Sequence, residues 1–200
     1  MDSYLLQILL IIFAYLVGSI PFGFILTKTF KKQNIQELGS GNIGATNVMR
    51  VAGKKIGVMT FLLDGFKGLL VVYICFNVFD IKDIFIKNAI VISVVLGHIY
   101  PVWLKFKGGK GVATFIMLVA YISPMMFVTM IISWYAFYKM FYIVSLASLV
   151  SMISVLAYQI SFQDDYLISS VILSALIIYK HADNLKRLLA GNEASFNNSK

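Results

Sequence analysis

VATFIMLVAYISPMMFVTMIISWYAFY, residues 112–138, is the stretch on which the fold turns. Its 27 residues exceed the roughly 20 apolar positions that cross about 30 Å of hydrocarbon, and Ser123-Pro124 interrupts them. They form either one tilted helix or two short helices folded back near the proline, which breaks a helical ladder. The flanking charges decide between these. Lys28, Lys31, Lys32, Arg50, Lys54 and Lys55 crowd the segment 28–55 against a single acid, Glu37. Lys105, Lys107 and Lys110 precede the stretch, and Lys180, Lys186, Arg187 and Lys200 populate the C-terminal end. The connection 77–87 is mixed, and Gln163-Asp164-Asp165 is acidic. Cytoplasmic connections carry the Lys and Arg excess, so 28–55, 105–110 and the tail lie inside. The span before the tail must then enter from outside, which puts Lys139 inside. Residues 112–138 begin and end on the same side, and a hairpin satisfies that parity.

The clear spans outward from this hairpin are 4–24, 56–79, 84–104, 141–160 and a short one at 166–179. The expected fold is therefore an all-α integral membrane protein with seven transmembrane helices, N-terminus outside and C-terminus cytoplasmic. The composition agrees: 60% of the residues are hydrophobic and 13% charged, against about 25% charged in soluble domains. A water-soluble fold and intrinsic disorder are both excluded. Met1-Asp2-Ser3 offers no basic n-region, so the first span reads as a retained anchor. The lone Cys75 provides no disulfide framework and no cysteine zinc site. The net charge of +8 points to anionic lipid and anionic substrates rather than nucleic acid, because no soluble basic module is present. Residues 1–191 read as one membrane-embedded domain and 192–200 as a flexible polar tail.

Three inside segments, 39–50, 97–115 and 180–193, hold more Gly, Ser, Asn and Lys than connecting loops need. GSGNIGATNVMR (39–50) combines close-approach glycines with the donors Ser40, Asn42 and Asn47 and the guanidinium fork of Arg50. GHIYPVWLKFKGGKGVATF (97–115) contains Gly108-Gly109-Lys110-Gly111, where successive amides can form an anion nest beside a lysine at a helix start. The Walker A spacing is absent. KHADNLKRLLAGNE (180–193) puts His181, Asn184 and Arg187 one turn apart on an amphipathic helix, which can equally lie on anionic lipid. Deep in the spans, Asp64 and Lys67 sit three apart and can neutralise each other, while His98 is either a packed helix-end residue or a ligand. Ser145 and Ser148 are one turn apart, as helix-packing serines often are. No paired carboxylates face the cytoplasm, so two-metal chemistry is not expected. No metal or other cofactor is expected.

Across nearly its whole length the chain resembles the bacterial acyl-phosphate:glycerol-3-phosphate acyltransferases, the PlsY family. The resemblance runs from Gly18-Ser19-Ile20-Pro21-Phe22-Gly23 through the three segments and the Asp64-x-x-Lys67-Gly68 step. It implies a seven-helix enzyme of the bacterial plasma membrane with its active site facing the cytoplasm. The implied reaction moves a fatty acyl group from acyl phosphate, not acyl-CoA or acyl carrier protein, to the 1-hydroxyl of glycerol 3-phosphate. That is the first acylation of phospholipid synthesis, giving lysophosphatidate and inorganic phosphate. Glycerol 3-phosphate, acyl phosphate, membrane lipids and the soluble enzyme producing acyl phosphate are the implied partners.

By the resemblance, Ser40, Lys110 and His181 are the catalytic candidates. Asn42, Gly44, Asn47, Arg50, Lys107, Gly108, Gly109, Gly111, Thr114, Ser145, Ser148, Asn184, Arg187 and Glu193 would bind substrate and phosphate. The chain departs from the family pattern at Tyr142-Ile143, where a basic residue and an aromatic usually precede the Ser-Leu-x-Ser step. His181 or a substrate phosphate would take the proton. Two other classes remain in view: a phosphate-ester transporter, which needs a polar path continuing outward, and an acyltransferase with another acceptor.

Overall fold

The computed structural model describes residues 3–162 and 164–195. Met1, Asp2, Gln163 and residues 196–200 of the expected tail lie outside the described residues. The described residues are helical with short connections and fall into two compact units, divided after Tyr121.

In the first unit, α1 (Ser3–Gly18) and α2 (Phe22–Lys31) are one apolar stretch broken at 19–21. The sequence reading of a single span over 4–24 is corrected here: the helical stretch runs on to Lys31 with an internal break. Pro21 has no N–H to donate and disfavours helical geometry at Ile20. Ser19 Oγ closes the end of α1 by donating to Tyr15 O at 2.8 Å. A 3₁₀ turn (Ile35–Glu37) follows, its start capped by the Asn34 side chain, which accepts from Gln36 N.

Next come α3 (Ala45–Ala52), α4 (Lys54–Tyr73, extended by a π-helical turn to Val78), α5 (Ile84–Ile99) and α6 (Val112–Ile122). A second 3₁₀ turn, Val102–Leu104, precedes the glycine loop that leads into α6. A small apolar core of Leu26, Ile35, Ile43, Val48, Ala52 and Ile56 fastens α2, α3 and the start of α4 around the 39–44 loop. Along the spans, α1 and α5 meet backbone to backbone. A Cβ on Gly18 would stand 2.1 Å from Val94 O, and one on Gly97 2.2 Å from Tyr15 O. Small residues permit this approach where lipid offers no hydrophobic drive.

In the second unit, α7 (Pro124–Phe141) packs along α8 (Val144–Phe162), followed by α9 (Leu167–Lys180) and α10 (Ala182–Leu189). The interruption read at Ser123-Pro124 is present. Ser123 Oγ accepts from Met126 N and Pro124 occupies the first turn of α7, where its missing N–H costs nothing. Among the described residues, four helical stretches are long and apolar enough to cross a membrane: Tyr4–Lys31, Lys54–Val78, Ile84–Leu104 and Val144–Phe162. The 11-residue α6 and the 14-residue α9 are shorter apolar helices.

Candidate functional site

The loop before α3 is shaped by one side chain. Asn47, buried on the first turn of α3, donates to Leu38 O at 3.0 Å and to Asn42 O at 2.9 Å, and accepts from Ser40 N at 2.9 Å. Asn42 Oδ1 accepts from Gly44 N at 2.7 Å, a turn that starts the helix. Gly39, at φ 59°, lies so close that a Cβ there would be 2.3 Å from Asn47 Oδ1. With both its hydrogens committed to the loop backbone, Asn47 sets the curvature that leaves Ser40 exposed at the turn and Arg50 exposed on the last turn of α3.

The glycine loop corrects one expectation. Gly108 N donates to Ile99 O and Gly109 N to His98 O, each at 3.1 Å. These amides therefore bind the end of α5 and do not point inward as an anion nest. The glycines serve contact: a Cβ on Gly109 would lie 2.0 Å from His98 Nε2, and one on Gly108 2.3 Å from Pro101 Cδ. Gly111 holds φ 88°, a left-handed geometry that glycine adopts without strain. Lys107 is exposed and Lys110 half-buried. Thr114, fully buried, donates its hydroxyl hydrogen to Asp64 O at 2.9 Å, so it joins α6 to α4. Gln36, which the sequence reading passed over, donates to Lys107 O at 2.9 Å and ties the turn before the 39–44 loop to the glycine loop.

Behind that loop lies a buried polar cluster. Lys67 Nζ is 2.8 Å from Asp64 Oδ1, 2.8 Å from Ile20 O and 3.0 Å from His98 Nδ1. Asp64 and Lys67 do neutralise each other, as their spacing suggested. The third partner, 31 residues from Lys67, had no local signal.

In the second unit the carboxylate of Glu193 gathers three other predicted residues. Glu193 accepts from Ser145 Oγ at 2.8 Å, Asn184 Nδ2 at 2.5 Å and Arg187 Nε at 2.7 Å. Its side chain is 4% exposed against 42% for Arg187. The chain returns to this point because α10 ends in a Schellman turn. Asn192 N donates to Arg187 O and Gly191 N to Leu188 O, with Gly191 at φ 70°. Burial acts to raise the Glu193 carboxyl, but donation from Asn184, Arg187 and Ser145 and the Arg187 charge prevail and hold it below the usual range. A carboxylate repels phosphate, so the role open to Glu193 is to orient the three donors. Ser148 is occupied otherwise: its hydroxyl donates to Val144 O at 2.9 Å and accepts from Trp134 Nε1 at 3.3 Å. His181, buried between α9 and α10, bonds Ile177 O through Nδ1 at 2.8 Å. A carbonyl oxygen only accepts, so in this contact Nδ1 is the donor and the ring is held to the last turn of α9.

Fold and site together define an all-helical membrane protein that presents guanidinium, ammonium and amide donors in short polar segments. Residues 8–191 match the family model described as glycerol-3-phosphate acyltransferase, and the chain belongs to that family, the PlsY acyltransferases. It is 46% identical to the glycerol-3-phosphate acyltransferase of Pelagibacter ubique, over 88% of this chain and 90% of that one. The Aquifex aeolicus protein of the same name is 41% identical over 94% and 97% of the two chains. Among solved structures, the crystal structure of PlsY (YgiH), an integral membrane glycerol 3-phosphate acyltransferase, matches in its glycerol 3-phosphate form. The TM-score is 0.89 at 40% identity, over 95% of each chain. Its lysophosphatidic acid form matches with a TM-score of 0.86.

Proposed function

We propose that this protein transfers a fatty acyl group from acyl phosphate to the 1-hydroxyl of glycerol 3-phosphate, releasing lysophosphatidate and inorganic phosphate. The observation that carries the reading is the likeness, at 40% identity over 95% of the chain, to an enzyme crystallised with both glycerol 3-phosphate and lysophosphatidic acid. The hydroxyl oxygen attacks the acyl carbonyl carbon, the carbon–oxygen bond to phosphate breaks, and phosphate leaves with the electron pair. The donor is already activated, so orientation supplies much of the rate.

Lys110 and Arg50 balance phosphate charge, and Ser40 and the loop shaped by Asn47 lie in the same segment, 39–50, as Arg50. Arg187, Asn184 and Ser145, aligned by Glu193, are the donors of the third segment and of the Ser-Leu-x-Ser step. Oriented donors stabilise the oxyanion formed at the carbonyl. The hydroxyl proton passes to His181 or to a substrate phosphate oxygen, and a His181→Ala variant separates these routes.

The same reading makes residues 1–191 one functional domain with seven crossings, N-terminus outside, in a bacterial plasma membrane. The polar segments then face the cytoplasm, where a soluble enzyme supplies acyl phosphate. The test offers membranes carrying the protein labelled glycerol 3-phosphate with palmitoyl phosphate or, separately, palmitoyl-CoA. Lysophosphatidate from the phosphate donor alone is expected; product from palmitoyl-CoA alone overturns the donor assignment.

A further inference from the structure

Lys67 carries three ammonium hydrogens and has three partners at hydrogen-bond distance: Asp64 Oδ1, Ile20 O and His98 Nδ1. Asp64 and Lys67 side chains are each 2% exposed and His98 3%. Nδ1 of His98 lies 3.0 Å from the ammonium and 3.5 Å from Asp64 Oδ1, so both members of the ion pair meet the same edge of the imidazole. The ring is thereby fixed in orientation by a residue of another helix. Its other edge forms the surface on which the glycine loop rests. Gly109 packs against Nε2 so closely that no side chain fits there, and its N–H donates to the carbonyl of the same histidine. On the far side of Lys110, Thr114 donates to the Asp64 carbonyl. Lys110 is thus suspended between two attachments, both belonging to the same buried cluster.

A buried ion pair is a weak source of stability, and apolar replacement is often neutral or stabilising. We infer that Asp64, Lys67 and His98 are positioning residues that set the path of the Gly108–Gly111 loop and with it the location of Lys110. The role in catalysis rests on the reaction proposed above, whereas the role in holding the loop does not. Lys67 acts through His98 and touches no substrate. Its loss lets the ring turn and the loop drift; a displacement of about 1 Å costs on the order of a hundredfold in rate.

Two readouts keep the inference separate from the reaction. Hydrogen exchange in detergent is measured for the wild type, Lys67→Met and Asp64→Asn. The Gly108 and Gly109 amides are expected to exchange at least about tenfold faster in the variants, with the Asn192 amide unchanged; unchanged loop exchange overturns the inference whether or not the wild type transfers acyl groups. In the transfer assay, Gly109→Ala is expected to lose about a hundredfold in kcat through its collision with His98. Lys67→Met and His98→Ala should each lower kcat by a similar factor, with the KM for glycerol 3-phosphate little changed, and because Lys67 acts through His98 the variant carrying both should lose no more than either alone. A double variant whose loss is the product of the two single losses overturns it. A wild type inactive with every donor refutes the proposed reaction and leaves the exchange experiment to decide the positioning role.

Discussion

The two units hold their polar side chains in opposite ways. Around the glycine loop, backbone does the holding: Gly108 and Gly109 are paired to the end of α5, and an ion cluster lies beneath them with its side chains almost entirely buried. Around Glu193 a single carboxylate does it, drawing Ser145, Asn184 and Arg187 together from two helices after a left-handed turn at Gly191. The first arrangement fixes where a loop runs and with it where Lys110 sits. The second fixes the donors themselves. Substitutions should therefore fail differently in the two regions: displacement of a path in one, loss of individual bonds in the other.

The largest effect is expected at Lys110, the charge that the glycine loop presents. Lys110→Ala should abolish acyl transfer; a variant retaining more than about a tenth of wild-type activity removes Lys110 from the site. Next comes Asn47→Ala, which deletes three hydrogen bonds to the 39–44 loop. At about 1 kcal/mol each, roughly 3 kcal/mol of local stability is lost. Transfer should fall more than about tenfold, and proteolysis should open first near Ser40.

Glu193→Gln should cost about tenfold in kcat/KM. Its amide oxygen still accepts from Ser145 and Asn184, but Arg187 loses its charged partner, and hydrogen bonds to charged groups are worth about 1.5–3 kcal/mol. Equal activity of this variant and wild type would make the carboxylate dispensable. The pH course sharpens the point. Because the folded carboxyl titrates below its ordinary value of 4.5, its contribution is complete above that value and fades as pH falls through the lower folded value. The unfolding midpoints of wild type and Glu193→Gln should differ by a constant amount between pH 8 and pH 5.5, about a unit above that ordinary value, and converge only in stronger acid.

The smallest effect belongs to Ser148→Ala. Its hydroxyl serves α8 and Trp134, so transfer should change less than about threefold, whereas Ser145→Ala should follow Glu193→Gln.

How much of this was legible in the sequence depends on how local each signal is. The interruption at Ser123-Pro124 was readable because a proline and a capping serine act on their own helix. Asp64 and Lys67 were readable as a pair because three residues of helix bring them together. His181, Asn184 and Arg187 were grouped by the same periodicity, and the resemblance added Ser145 and Glu193. What escaped depends on tertiary contact. Glycines around a lysine read as an amide nest, but whether an amide faces a ligand or a neighbouring carbonyl is set by what packs behind it, here the end of α5. His98 looked like either a packed residue or a ligand, because its partners come from α4. The break at 19–21 was hidden by an apolar run that continues on both sides of it.

That break has a consequence for how the chain is made. Synthesis proceeds from the N-terminus, so α1 and α2 enter the membrane before α4 exists. Until then the Ile20 carbonyl lacks the Lys67 ammonium that later receives it. An unsatisfied backbone group in hydrocarbon costs several kcal/mol. The break in the first helical stretch is therefore completed only when the lysine of a later helix arrives. A Lys67 variant would then be expected to reduce the yield of inserted protein during biogenesis, even where the protein that completes assembly is as heat-stable as its parent.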